Sequence, residues 1–225
     1  MSLHPLYQTQ TWVFDLDNTL YAPHSDLFGQ IDVRMGAFIS DLLDVDLVEA
    51  RKVQKDYFFT YGTTLSGLIR HHNINPHTFM EYVHDIDLGV ISADEVLDKA
   101  LAALPGDKLV YTNGSADHAK RVLDKLEIQD RFSGIYDTEA ADFIPKPDPG
   151  AFKDMIAHFN LDPAKSVMVE DMARNLEPAF DAGMKTIWCP TDSEWSGKGA
   201  DSRYIDYVVD ALPDWLLGVA MSGDE

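Results

Sequence analysis

The stretch Trp12-Val13-Phe14-Asp15-Leu16-Asp17-Asn18-Thr19-Leu20 decides how this 225-residue chain is read. An apolar run ends abruptly in two aspartates spaced two residues apart. Residues i and i+2 of a strand point to the same face, so Asp15 and Asp17 start with a shared direction. A turn just after Asp15 can aim one carboxylate at a ligand and set the other beside it. In open α/β sheets ligands bind beyond the carboxyl ends of the strands. Paired acids at such an end suggest a metal and a phosphoryl group. Alone, the stretch reads more readily as a solvated turn capping a helix, so the rest of the chain must decide.

The remaining sequence supplies the context. A hydrophobic content of 45% is enough for one large domain or a domain carrying an insertion. A formal net charge of -20 leaves no basic surplus to displace counterions, which makes nucleic-acid polymers poor partners. The same charge opposes anionic ligands at long range, so a phosphate site here needs local positive charge and a cation. The single cysteine, Cys189, excludes an intramolecular disulfide and a cysteine-based zinc cluster. Neither a signal-peptide pattern nor an apolar run of membrane-spanning length occurs, so the expectation is a cytoplasmic protein without membrane partners.

After Leu20 the pattern turns helical. Ile31, Met35, Phe38, Ile39, Leu42 and Leu43 recur at helical spacing, and a second helix is predicted from about Leu47 through Tyr57. Gly62 breaks it, Thr64 is the expected cap of a third, Pro76 opens a fourth, and a last runs from Ala93 to Leu104. Strands then alternate with helices: Lys108 to Thr112, Gly134 to Asp137, Ser166 to Val169, Thr186 to Trp188 and Tyr207 to Val209. The helices between them start at Ser115, at Asp148-Pro149 and at Ala173, the last running to Ala182 with Gly183 behind it; Asp162-Pro163 repeats the cap-plus-proline pattern. Short apolar strands alternating with helices predict an α/β fold with a Rossmann-like parallel sheet. The expected division is a core of 1–20 and 95–225 with a helical cap inserted at 21–94, and 222–225 are expected to fray.

The strand ends then present Asp15 and Asp17, Thr112-Asn113-Gly114, Lys146 on a loop, and Glu170-Asp171. Converging carboxylates repel one another by about 4 kcal/mol per pair at 4 Å and an effective dielectric near 20, unless a cation sits among them. Hard oxygen ligands beside an open phosphate site favour Mg²⁺. Lys146, the Thr112 hydroxyl and the Asn113 and Gly114 amides would offset the charge of a phosphoryl group.

These four segments resemble the four motifs of the haloacid dehalogenase-like hydrolase superfamily. Tyr61-Gly62-Thr63-Thr64-Leu65-Ser66-Gly67-Leu68, Val83-His84-Asp85-Ile86 and Arg174-Asn175-Leu176 are similar to its pyrimidine 5'-nucleotidase subgroup. The resemblance implies a Mg²⁺-dependent phosphatase of small phosphorylated metabolites, nucleoside monophosphates first. It makes Asp15 the nucleophile and Asp17 the general acid and base. Thr112 and Lys146 would grip the phosphoryl group. The metal would be held by the Asp15 carboxylate, the Asp17 backbone carbonyl and Asp171, with Glu170 an outer or alternate ligand; this subgroup more often carries Asp-Asp where Glu170-Asp171 stands. Arg34, Tyr57, Tyr61, Thr64, His84 and Asp85 are the cap residues that would meet a base or sugar.

A sugar-phosphate phosphatase or a phosphomutase fits the same motifs, and a receiver-type signalling module phosphorylated on aspartate is the reading from another class. Receivers carry their acidic pair ahead of the phosphorylated aspartate and have no long cap, whereas here the second acid follows Asp15. Asp17 also separates phosphoryl from halide chemistry, since an alkoxide leaving group needs a proton and a halide does not. Asp17→Asn is therefore expected to abolish multiple turnover of a nucleoside monophosphate; an unchanged steady-state rate overturns the assignment.

Overall fold

The computed structural model describes residues 4–193 and 195–223, so the expectation for 222–225 falls partly outside the described residues. Its centre is β1 (Thr11–Phe14), buried at all four positions. Burial on both faces explains why this strand reads as a continuous apolar run rather than an alternating one. Trp12 and Phe14 pack on one side of the sheet and Val13 on the other.

Six parallel strands stand in the order β3-β2-β1-β4-β5-β6, with β2 (Asp107–Tyr111), β3 (Gly134–Tyr136), β4 (Ser166–Glu170), β5 (Lys185–Trp188) and β6 (Tyr207–Val208). The chain reverses its direction of travel across the sheet at β1, so its carboxyl end lies at the switch point between β2 and β4, where α/β sheets open a crevice. Phe14 is level with Val110 and Val169, and the Asp15 amide donates to the Val169 carbonyl at 2.9 Å. Asp15 therefore emerges level with the last residues of both neighbouring strands. The α/β Rossmann-like fold expected from the sequence is the observed one.

Helices cover both faces. Of the helices that follow the first strand, α1 (Leu27–Leu43), α2 (Leu47–Tyr61), α3 (Thr64–His72) and α4 (Pro76–Val83) pack mainly against one another. Ile31, Ile39, Leu65, Leu68, Phe79 and Val83 form their separate core. On one sheet face lie α5 (Glu95–Ala103), α6 (Ala116–Lys125) and α9 (Leu212–Met221); on the other lie α7 (Pro149–His158) and α8 (Glu177–Asp181). Tyr21 and Leu27 belong to the sheet core although they lie beyond residue 20, so the packing boundary falls later than the sequence pattern suggests.

Three local readings change. Thr63, not Thr64, caps α3: its Oγ1 accepts from the Ser66 amide at 3.2 Å, while Thr64 is buried and donates to the Gln54 carbonyl. The helix expected from Ala173 to Ala182 splits into a 3₁₀ turn, Ala173–Leu176, and α8. Pro178 is the reason, since it has no N–H to carry an α-helical bond across the junction. Asp162 does cap, but only a 3₁₀ turn at Pro163–Lys165 follows.

The helical group depends on one close approach. A Cβ on Gly67 would stand 2.3 Å from the Tyr57 ring, so α2 and α3 meet where a side chain is missing. Gly67→Ala is expected to destabilise the protein by about 1–3 kcal/mol through overpacking. Urea unfolding checks this, and a midpoint equal to that of the parent would refute it.

Candidate active site

Lys146 ties three strand ends together. Its Nζ donates to Asp15 Oδ1 at 2.7 Å, to Glu170 Oε2 at 2.7 Å and to the Tyr111 carbonyl at 2.9 Å. These partners follow β1, end β4 and end β2, and all three ammonium protons are used. Lys146 is 1% exposed. Burial opposes its charge, but the Asp15 and Glu170 carboxylates outweigh that, and its pKa stands well above the usual lysine range.

The acids are unequal. Burial first, then the Glu170 charge, push Asp15 from 3.8 up to about 7, against the pull of Lys146. Its second oxygen, Oδ2, accepts from Thr19 Oγ1 at 3.1 Å. Burial, Glu170 and Asp15 likewise hold Asp171 well above the usual carboxylate range. Burial would raise Asp17 too, yet the charge and hydrogen bond of the His118 ring and the hydroxyl of Tyr21 hold it below that range. The turn that separates the two aspartates comes from Leu16 accepting from the Thr19 and Leu20 amides, with Asn18 at φ 63°. Asparagine tolerates that left-handed conformation better than most residues.

Asp15, Glu170 and Asp171 each offer an oxygen within 4.8 Å of the others, all buried. This set of hard donors fits a small divalent cation, which would relieve both the burial of uncompensated charge and the mutual repulsion that raise Asp15 and Asp171. Both Glu170 oxygens are already engaged, Oε2 by Lys146 and Oε1 by the Met172 amide at 3.2 Å. The Asp17 carboxylate stands outside the cluster, with Oδ1 taken by Tyr21 and His118, which is compatible with the backbone carbonyl being the Asp17 atom that the resemblance assigns to a metal.

The cluster opens into a cavity of about 520 Å³ between the strand ends and α1–α4. Asp15, Asp17, Thr112, Asn113, Gly114, Lys146, Glu170 and Asp171 line it, as do Thr64 and His84. Two of these have occupations the sequence does not show. The Asn113 side chain turns back onto the Lys146 backbone, accepting its N–H at 2.8 Å, which makes it a brace for the loop. The Thr112 hydroxyl accepts from the Gly114 amide at 2.9 Å. Four other expected residues do not line the cavity. Tyr61 bonds His71 and Tyr57 bonds His72, each across the α2–α3 pair, while Arg34 packs on Tyr82 and pairs with Asp85.

Residues missed at the sequence level make up much of the remaining wall. Phe28, Met35, Phe58 and Phe79 give it an apolar side, and Arg51, Gln54 and Lys55 gather around Asp32 at a polar edge. They lie on α1, α2 and α4, and helical periodicity does not say which face meets a ligand. Arg174 lies 4.5 Å over the Phe58 ring and donates to the Gly62 carbonyl at 3.1 Å.

A family model for haloacid dehalogenase-like hydrolases matches residues 9–183, which include every strand end of this site. The chain belongs to that family. It is 28% identical over 193 residues to phosphate metabolism protein 8 of Saccharomyces cerevisiae, a match covering 78% of this chain and 60% of that protein. Over 115 residues it is 30% identical to the glyceraldehyde 3-phosphate phosphatase of Pyrococcus furiosus, covering 48% of this chain and 45% of that one. The matches thus span less than two thirds of either relative. A solved L-2-haloacid dehalogenase from Xanthobacter autotrophicus, 14% identical, shares the fold with a TM-score of 0.58, the match covering 92% of this chain and 97% of that one. Among the described residues no helix is long and apolar enough to cross a membrane.

The raised Asp15 gives a pH signature. A carboxyl that holds its proton more tightly in the folded state than its ordinary 3.8 makes the metal-free fold lose stability as pH rises from about 4 to about 7. A divalent cation favours the ionised cluster, so Mg²⁺ should stabilise more at pH 8 than at pH 5. At 100 times its Kd, a ligand adds about 2.7 kcal/mol, or roughly 5–10 °C in a domain of this size. Thermal melts with Mg²⁺ or EDTA at both pH values check this; an equal shift at both contradicts it.

Proposed function

We propose that this hydrolase is a Mg²⁺-dependent phosphatase of small phosphomonoesters, with pyrimidine nucleoside 5'-monophosphates as its preferred substrates. The observation that carries the phosphatase reading is the pairing of a buried, lysine-braced Asp15 with a second aspartate beside it that has its own donors and stands outside the acidic cluster. Asp15 attacks phosphorus, the bond to the ester oxygen breaks, and Asp17 gives the departing alkoxide its proton. Asp17, now a carboxylate, takes a proton from water, the water oxygen attacks phosphorus, and the acyl–phosphate bond breaks to return Asp15. A phosphate dianion arriving beside Asp17 raises the proton affinity of a carboxyl that is otherwise held low, which fits it to act first as acid.

Lys146 and the Thr112 hydroxyl orient Asp15 and the phosphoryl group, while the Gly114 amide holds Thr112 in place. Asp15, the Asp17 carbonyl and Asp171 would hold the metal, with Glu170 behind them as the partner of Lys146. The metal supplies charge neutralisation for the phosphoryl oxygens when bound. In this reading α1–α4, within 21–94, form a cap that closes the site from water.

The size and lining of the cavity support the nucleotide preference. About 520 Å³ with an aromatic side and a polar edge suits a base and ribose better than a three-carbon chain. The likeness to a protein named glyceraldehyde 3-phosphate phosphatase supports a second reading, a smaller sugar-phosphate substrate.

Free-phosphate release from UMP, CMP, AMP, glyceraldehyde 3-phosphate and hexose phosphates with Mg²⁺ separates these readings. A kcat/KM for UMP or CMP at least tenfold above the others is expected, with activity lost in EDTA. A triose phosphate at the head of the ranking selects the second reading, and a flat profile reduces the protein to a general phosphatase. Lys146→Met should cut kcat by at least about 10³-fold, comparable to losing a transition-state donor; a loss under tenfold would remove Lys146 from the site.

A further inference from the structure

Asp17 is held in an uneven way. Two donors converge on one of its oxygens: the Tyr21 hydroxyl lies 2.8 Å and His118 Nε2 2.9 Å from Oδ1. Among the described residues nothing bonds Oδ2, and Asp17 lines the cavity. A carboxylate oxygen only accepts, so the hydrogen between His118 and Oδ1 belongs to Nε2. An oxygen that accepts two hydrogen bonds is a poor site for a further proton, and the free oxygen becomes the proton carrier.

His118 is itself fixed. It is 1% exposed and sits in the first turn of α6, whose cap Ser115 accepts from the His118 amide at 3.3 Å. Its ring stacks at 4.2 Å and 8° on His84, which follows α4. His84 Nδ1 reaches Ser115 Oγ at 3.0 Å, and its carbonyl accepts from Arg121 Nη1 at 2.9 Å. The His118 ring edge away from Asp17, at Nδ1, has no hydrogen-bond partner. Its orientation therefore rests on the stack and on the bond to Asp17, not on a hydrogen bond behind it.

We propose that His118 and Tyr21 are positioning residues that pin Asp17 Oδ1 and so leave the unengaged Oδ2 of this cavity-lining residue as the atom that passes the proton to the leaving group. The His84 ring seats His118 and links the helical group to that setting. This rests on the phosphatase reading, and leaving-group dependence tests the two separately. An alkyl phosphate needs its departing oxygen protonated, whereas p-nitrophenolate leaves as a stable anion. The comparison is made on kcat/KM taken from single-turnover release of the leaving group, which covers substrate binding through leaving-group departure, excludes the hydrolysis of the intermediate and is readable for Asp17→Asn even though that variant does not turn over repeatedly.

The experiment compares an alkyl phosphate monoester with p-nitrophenyl phosphate for Asp17→Asn, His118→Ala, His118→Gln and Tyr21→Phe. Because general acid catalysis contributes roughly 10²–10⁴-fold, His118→Ala should lose about 10²-fold on the alkyl ester and less than tenfold on p-nitrophenyl phosphate, with KM little changed. His118→Gln, which places an N–H near the Nε2 position, should recover most of the loss. Tyr21→Phe keeps the buried ring, removes only the hydroxyl, and should show the same selectivity in smaller measure. Equal losses on both esters in His118→Ala and Tyr21→Phe, or none, with Asp17→Asn selective, overturn the positioning alone. Equal losses in Asp17→Asn overturn the acid role of Asp17 and the positioning together.

Discussion

A lysine ammonium sealed among three strand ends is the constraint on which the remaining geometry depends. Removing an ammonium and two carboxylates from water costs several kcal/mol per ion, and close attraction offsets that only if the hydrogen bonds are complete. Here they are complete on the lysine: Nζ uses its three protons on Asp15, Glu170 and the Tyr111 carbonyl. Each partner lies at the carboxyl end of a different strand, so satisfying Lys146 fixes β1, β2 and β4 relative to one another at the point where the crevice opens. Asn113 completes the arrangement by holding the backbone of Lys146 against the end of β2. The loop that carries Lys146 is thus positioned through both its backbone and its side chain.

The same constraint leaves a charge imbalance. With Asp15, Glu170 and Asp171 all ionised, one ammonium faces three carboxylates. Lys146 is shared by Asp15 and Glu170, and burial together with the remaining repulsion raises the pKa values of Asp15 and Asp171. A protein core built for stability alone would replace this cluster with apolar side chains, because buried ionic groups are seldom the most stable filling. Keeping it makes sense where a cation and a phosphoryl group complete it. The acidic excess and the lysine then fit one arrangement: the lysine fixes two carboxylates in place, and the excess is suited to a divalent cation.

Chemistry at the strand ends was legible in the sequence because strands announce their ends. Each apolar run stops at a polar residue, and a parallel sheet gathers all those stops on one edge. Asp15, Thr112, Glu170 and Asp171 could be placed by that rule, and Lys146 joined them through the resemblance and its local charge. What failed was the reading of helical faces. Tyr57 and Tyr61 look like base-stacking residues, but histidines 71 and 72 on α3 take their hydroxyls, and nothing in the spacing of α2 announces this. Arg34 and Asp85 are 51 positions apart and satisfy each other. His118 was missed for a related reason: a histidine in the first turn of a helix with an apolar stripe reads as packing. The signal available was its place three residues after the cap Ser115, in the turn that a parallel sheet aims at its carboxyl edge. The bracing role of the Asn113 side chain has no local signal, because its partner, the Lys146 backbone, comes from a loop 33 residues away.

The net charge of -20 sharpens what the site must do. An anionic substrate approaching this surface meets repulsion at long range, but at physiological ionic strength charges beyond about 8 Å of solvent are largely screened. What counts is the local set. Lys146 at the floor, Arg174 against Phe58, and Arg51 and Lys55 around Asp32 place four of the chain's 18 basic side chains on the walls of one cavity. Arg51 and Lys55 are partly neutralised by Asp32, and Lys146 by its carboxylates. The cavity lining still carries six acidic side chains against these four basic ones, so it is not a basic trap. In the proposed phosphatase reading, phosphate would be captured at close range by a metal and a few fixed donors, and the larger organic part of the substrate would meet the apolar wall of Phe28, Phe58 and Phe79. Such a division would place binding energy on the leaving group and reserve the charged groups for the phosphoryl centre, where charge changes during reaction and where fixed donors act most strongly.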